Sequence, residues 1–81
     1  MDTREIVDWL QSTYMRLCSD PVQIEIEPYL DDYYIFRITC SKRDYDYLFG
    51  DGSKARSGIG SVVRQMGKKN DFMTRVIYKV A

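Results

Sequence analysis

The 81-residue sequence predicts an α+β fold in which a three-stranded sheet carries three helices on one face, in the order α-β-β-α-α-β. Three observations predict it. Apolar residues recur at helical spacing in three segments, they alternate at a spacing of two in three others, and proline, glycine, serine or aspartate fills the breaks between them. No repeat, linker or low-complexity segment interrupts this order, so residues 1–81 are expected to form a single domain.

Asp2 and Glu5 have the spacing of a capping box, and Ile6, Val7, Leu10, Tyr14 and Leu17 make one apolar stripe, so a first helix is expected to run to about Cys18. Ser19-Asp20-Pro21 stops it, because proline lacks an N–H and disfavours helical geometry in the residue before it. Val22, Ile24 and Ile26 then alternate with Gln23, Glu25 and Glu27, the pattern of a strand with one face on a core and one in water, expected to end at Pro28. Beyond the turn-like Leu30-Asp31-Asp32, Tyr34, Phe36, Ile38 and Cys40 alternate with Tyr33, Ile35, Arg37 and Thr39. This second strand is expected to be central and antiparallel to the first.

Ser41 and Asp44 mark the start of a short helix carrying Tyr45, Leu48 and Phe49, which Gly50 ends. Ser53 is the expected cap of the next helix, in which Ala55, Ile59, Val62 and Met66 fall at helical intervals and which Gly67 closes. The last segment, Phe72 to Val80, is β-branched and aromatic. It puts Val76, Tyr78 and Val80 on one face of a strand and Arg75, Ile77 and Lys79 on the other.

Apolar residues make up 44% of the chain and charged residues 30%, a globular balance that argues against a disordered tail or a disulfide-built mini-protein. No apolar run approaches the ~20 residues of a bilayer span. The opening MDTREIVDWL is charged where a signal peptide would be hydrophobic, so a cytoplasmic location and no membrane partner are expected. Cys18 and Cys40 have no CxxC neighbour, and the chain has no histidine, so reduced thiols and no metal site or cofactor are expected, with a disulfide between them as the alternative.

The formal net charge of zero hides a division. Residues 1–34 hold eight carboxylates against two cations, and residues 35–81 hold ten cations against four carboxylates. A basic second half suits a polyanion partner. Pairing of the two halves across the fold is the competing use of the same charges.

Catalysis is not expected. Without histidine the chain lacks the commonest acid–base group near neutral pH. Asp31/Asp32 and Asp44/Asp46 sit in a turn and an early helix turn, where solvation and capping employ them, and Ser53, Ser57 and Ser61 have no evident base. Gly58-Ile59-Gly60 lies inside a predicted helix, without the strand-then-loop setting of a dinucleotide site.

The remaining candidate is the stretch LFGDGSKARSGIG, Leu48 to Gly60, which holds four of the five glycines. Gly50 and Gly52 permit tight backbone geometry between two helices, and the N-terminal amides of the second helix favour a phosphate. Lys54, Arg56 and Arg64 add cations on or near that helix. Gly58 and Gly60 each cost about 1 kcal/mol relative to alanine in a helix interior, which a close approach by another element or a ligand would offset.

The element order, the segment YDYLFGDGS from Tyr45 to Ser53, and the spacing of Ala55, Ile59 and Val62 resemble a type II KH domain. In size and layout the chain is similar to the small single-domain bacterial KH RNA-binding proteins. In that family a Gly-x-x-Gly loop clamps the backbone of about four nucleotides, and an adjacent helix and central strand form a groove for single-stranded bases. The resemblance therefore implies a non-catalytic module for single-stranded RNA. Phe49, Gly50, Asp51, Gly52 and Ser53 would form the loop site, Lys54, Arg56 and Arg64 would supply charge, and Ile38, Phe49 and Ile59 would line the groove.

The loop departs from the family pattern. With Gly50 as its first glycine, Ser53 stands at the position of the second, and Asp51 puts a carboxylate near the phosphates. A KH-shaped protein-interaction or homodimerisation module, using Tyr33, Ile35, Met73 and Ile77 as an outward apolar patch, is the alternative expectation.

Overall fold

The computed structural model describes residues 3–49 and 54–81. The elements follow the predicted order: α1 (Arg4–Leu17), β1 (Gln23–Leu30), β2 (Tyr33–Cys40), α2 (Lys42–Phe49), α3 (Ala55–Lys69) and β3 (Met73–Val80). The strands form one mixed sheet in the order β1-β2-β3, with β1 antiparallel and β3 parallel to the central β2. A parallel neighbour requires a crossover, and α2 and α3 provide it.

One core joins the helices to one face of this sheet. Ile6, Leu10 and Tyr14 of α1, Leu48 of α2, and Ile59 and Val63 of α3 meet Val22, Phe36, Ile38 and Cys40. The pairings Phe36↔Val76, Ile38↔Tyr78 and Cys40↔Val80 carry the same face across to β3. Tyr33, Ile35, Arg37, Met73, Arg75 and Ile77 fall on the opposite face.

Helix starts are fixed locally. In α1 the N-cap is Thr3, whose side chain makes no capping bond; the Asp2 half of the expected capping box lies outside the described residues. In α2 the capping pair is formed as expected. The Asp44 N–H donates to Ser41 Oγ at 3.2 Å, and that hydroxyl donates to Asp44 Oδ2 at 3.1 Å.

Two boundaries and one helix face differ from expectation. β1 runs through Pro28 to Leu30, because β1 is an edge strand and a missing N–H is tolerated there; the ladder is irregular between Pro28 and Leu30. α3 runs through Gly67 to Lys69, and its inward stripe is Ile59, Val63 and Gly67, while Val62 is exposed. Its end is a Schellman closure in which Phe72 N–H donates to Gly67 O at 3.0 Å and Asp71 N–H to Lys68 O at 3.2 Å, with Asp71 in left-handed geometry at φ 66°. Gly67 is used for contact: a Cβ there would lie 2.7 Å from Thr74 Cγ2 and 2.8 Å from Phe72 O.

Cys18 and Cys40 are free thiols. Burial, with Asp44 nearby, pushes the Cys18 thiol up to about 11. No helix among the described residues is long and apolar enough to cross a membrane.

Candidate nucleic-acid interface

The four-residue spacing of Arg56, Gly60 and Arg64 places them on one side of α3. That side borders β3, which has only β2 as a sheet neighbour and so leaves its other edge open. Between helix and strand lies an open groove of about 580 Å³. Arg56, Ser57, Gly60 and Arg64 form its helical wall, Thr74 to Tyr78 its strand wall, and Tyr45 of α2 contributes at the side.

Among the described residues, the lining includes Arg56, Arg64 and Arg75 and no carboxylate. Tyr78 spans from groove to core: its hydroxyl lies 2.5 Å from that of Tyr14, and the two rings meet edge to face at 6.1 Å. Burial raises the pKa of both phenols, so the groove carries no tyrosinate near neutral pH. A positive trench attracts a polyanion, and two half-buried tyrosines contribute to its lining.

Gly60 opens the helical wall further. A Cβ built at residue 60 meets no atom within 4 Å, and the same holds at Gly58. No described neighbour packs so closely against either glycine that a methyl group would be refused.

The residues singled out in the sequence divide among several environments. Arg56 and Arg64 are exposed and share the groove, and Lys54 is exposed at the residue preceding α3. Ile38 and Ile59 do not line it, because both are buried in the core, where they meet protein on all sides. The wall opposite α3 is the edge strand β3 rather than the central β2. Gly50, Asp51, Gly52 and Ser53 lie outside the described residues, as does the side chain of Phe49.

Sequence reasoning missed Tyr45, Gly60, Arg75 and Tyr78 as groove residues. The Arg56-Gly60-Arg64 spacing was a usable signal for the helical wall. Nothing local marked Arg75, because strand alternation gives its face but not that β3 is an edge.

The expected outward patch is only partly apolar. Tyr33 pairs with Met73, Ile35 with Arg75 and Arg37 with Ile77, so all share the sheet face away from the helices. Met73 is 64% exposed, yet Ile35 is only 8% exposed. Arg37, held by Glu27 at 2.7 Å, and Arg75 interrupt the patch with charge. No group of three or more Cys, Asp or Glu among the described residues is placed to hold a metal ion.

Compared with family models, curated proteins and solved structures, the chain matches none of them.

Proposed function

We propose that the chain is a type II KH-like module that binds single-stranded RNA without catalysing a reaction, the strand lying along the α3–β3 groove. The observation that carries this is the groove lining itself, three arginines and two tyrosines, with no carboxylate among the described residues. Its support from the fold is the α-β-β-α-α-β order, in which the helix–loop–helix crossover places the loop and the start of α3 at adjoining positions in the chain. Arginines engage the sugar-phosphate backbone and tyrosines stack on unpaired bases, which suits single strands better than duplex.

The test is an amide-resolved titration with short, mixed-sequence single-stranded RNAs at low salt. Shifts are expected in Tyr45, Arg56 to Arg64 and Thr74 to Tyr78, and they should fade as salt is raised. Absence of any shift in these residues would refute RNA binding in the groove. Shifts confined to Tyr33, Ile35, Met73 and Ile77 that grow with protein concentration alone would instead favour a protein-interaction module.

A further inference from the structure

In the family that the sequence resembles, the loop holds the phosphates, but here that loop carries Asp51 and replaces its second glycine with Ser53. A carboxylate in a phosphate-holding loop would repel the group to be held. We infer that in this chain the phosphate backbone is held by Arg64 of α3 and Arg75 of β3, from the two walls of the groove, with the uncovered helix at Gly60 beside them receiving the ribose. This rests on RNA being the ligand of the groove and assigns the grip within it.

Three observations lead there. First, the chain pairs cations elsewhere: Arg37 binds Glu27 at 2.7 Å, Lys42 binds Asp46 at 2.9 Å and Arg43 reaches Asp20 at 3.5 Å. The side chains of Arg64 and Arg75, both exposed residues, have no hydrogen bond or ion pair with any described residue. Their guanidinium donors stay available, and a planar fork of donors matches phosphate oxygens two at a time.

Second, the two arginines come from different elements but border one groove, which also holds Arg56: Arg64 from the helical wall, and Arg75 at the open edge of β3, from a register position on the outer sheet face. A chain of phosphates passing between the walls would meet successive cations. A groove bordered by three cations suits a ligand with repeated phosphates.

Third, Gly60 stands one helical turn before Arg64 on the same wall. Glycine there destabilises the helix, and no described side chain fills the space in front of it. A sugar ring held by Arg64 can come closer to a bare backbone than to any side chain.

The experiment measures binding of short, mixed-sequence single-stranded RNA by fluorescence anisotropy over a range of NaCl concentrations, for the full chain and its variants. Arg64→Gln and Arg75→Gln are each expected to weaken binding on the order of tenfold at low salt. Each should also lower the slope of log K against log salt by about 0.7, the loss of one phosphate contact on a single strand. Arg64→Lys and Arg75→Lys should keep the slope while losing part of the affinity. Arg16→Gln, on α1 and outside the groove lining, should leave the slope unchanged. Amide spectra of each variant confirm the fold.

Wild-type binding with unaltered slopes in both glutamine variants would overturn the assignment while leaving RNA as the ligand. An equal loss in Arg16→Gln would also overturn it, since the effect would then be one of overall charge. If the wild-type chain binds no RNA at low salt, the ligand itself is wrong, and the assignment falls with it.

Discussion

The carboxylate of Asp44 accepts the backbone N–H of Ser19 at 2.9 Å, joining the corner after α1 to the first turn of α2 across twenty-five positions of sequence. Its other oxygen accepts the Asp20 N–H at 3.0 Å and the Ser41 hydroxyl at 3.1 Å. The residue is only 2% exposed, so a charge is tolerated there because donors surround it. One aspartate thus caps a helix and also fixes the approach of the chain to β1. It sits next to Tyr45 and so sets one side of the groove.

The Ser19 N–H, with help from Asp20 and Ser41, holds the Asp44 carboxyl below its ordinary value. A carboxyl depressed on folding adds stability that is complete above its unfolded pKa, near pH 4, and is lost as pH falls through the lower folded value. Asp44→Asn presents an amide N–H₂ where donors already converge, and should cost about 1–3 kcal/mol at neutral pH. In urea titrations the gap between wild type and variant is expected to stay constant from neutral pH to about pH 5 and to narrow below about pH 4. A gap that does not change with pH would show that the carboxylate charge contributes nothing.

Gly67 supports a second prediction. A methyl group at that position would meet Thr74 Cγ2 at 2.7 Å and the Phe72 carbonyl at 2.8 Å, and the carbonyl cannot rotate away as a side chain can. Gly67→Ala gains helix propensity yet forces α3 from β3, so a net loss of about 1–3 kcal/mol is expected in thermal or chemical unfolding. Gly67→Ala combined with Thr74→Ser should recover only part of it, because the clash with the backbone remains. Full recovery would place the strain on the threonine methyl alone.

Most of the fold was legible because periodicity is a direct record of burial. Ile6, Leu10 and Tyr14 show a helix facing a core, and Phe36, Ile38 and Cys40 show a strand doing so. What sequence left open was lateral position. Pro28 looks like a strand end unless β1 is known to be an edge, and Gly67 looks like a helix end unless β3 is known to press against it. The site suffered from the same gap. Ile38 and Ile59 were expected in the groove from the resemblance to the KH family, but both fill the core, whereas Arg75 joins the groove at the open edge of β3.

Gly60 gives the prediction that separates stability from binding. Space in front of it is open, so Gly60→Ala meets no clash and should stabilise the chain by about 1 kcal/mol through helix propensity. For a domain of this size that corresponds to a rise in Tm of roughly 4–8 °C. The same methyl group would project into the groove where the sugar is placed, so RNA affinity should fall as Tm rises. Gly58→Ala is the matched control, since residue 58 also has open space before it but does not line the groove. It should bind RNA like the wild type. Stabilisation of both variants with RNA affinity intact in both would show that no ligand comes close to the helix at Gly60. Loss of affinity in the Gly60 variant alone would identify that glycine as one kept for contact at the expense of stability.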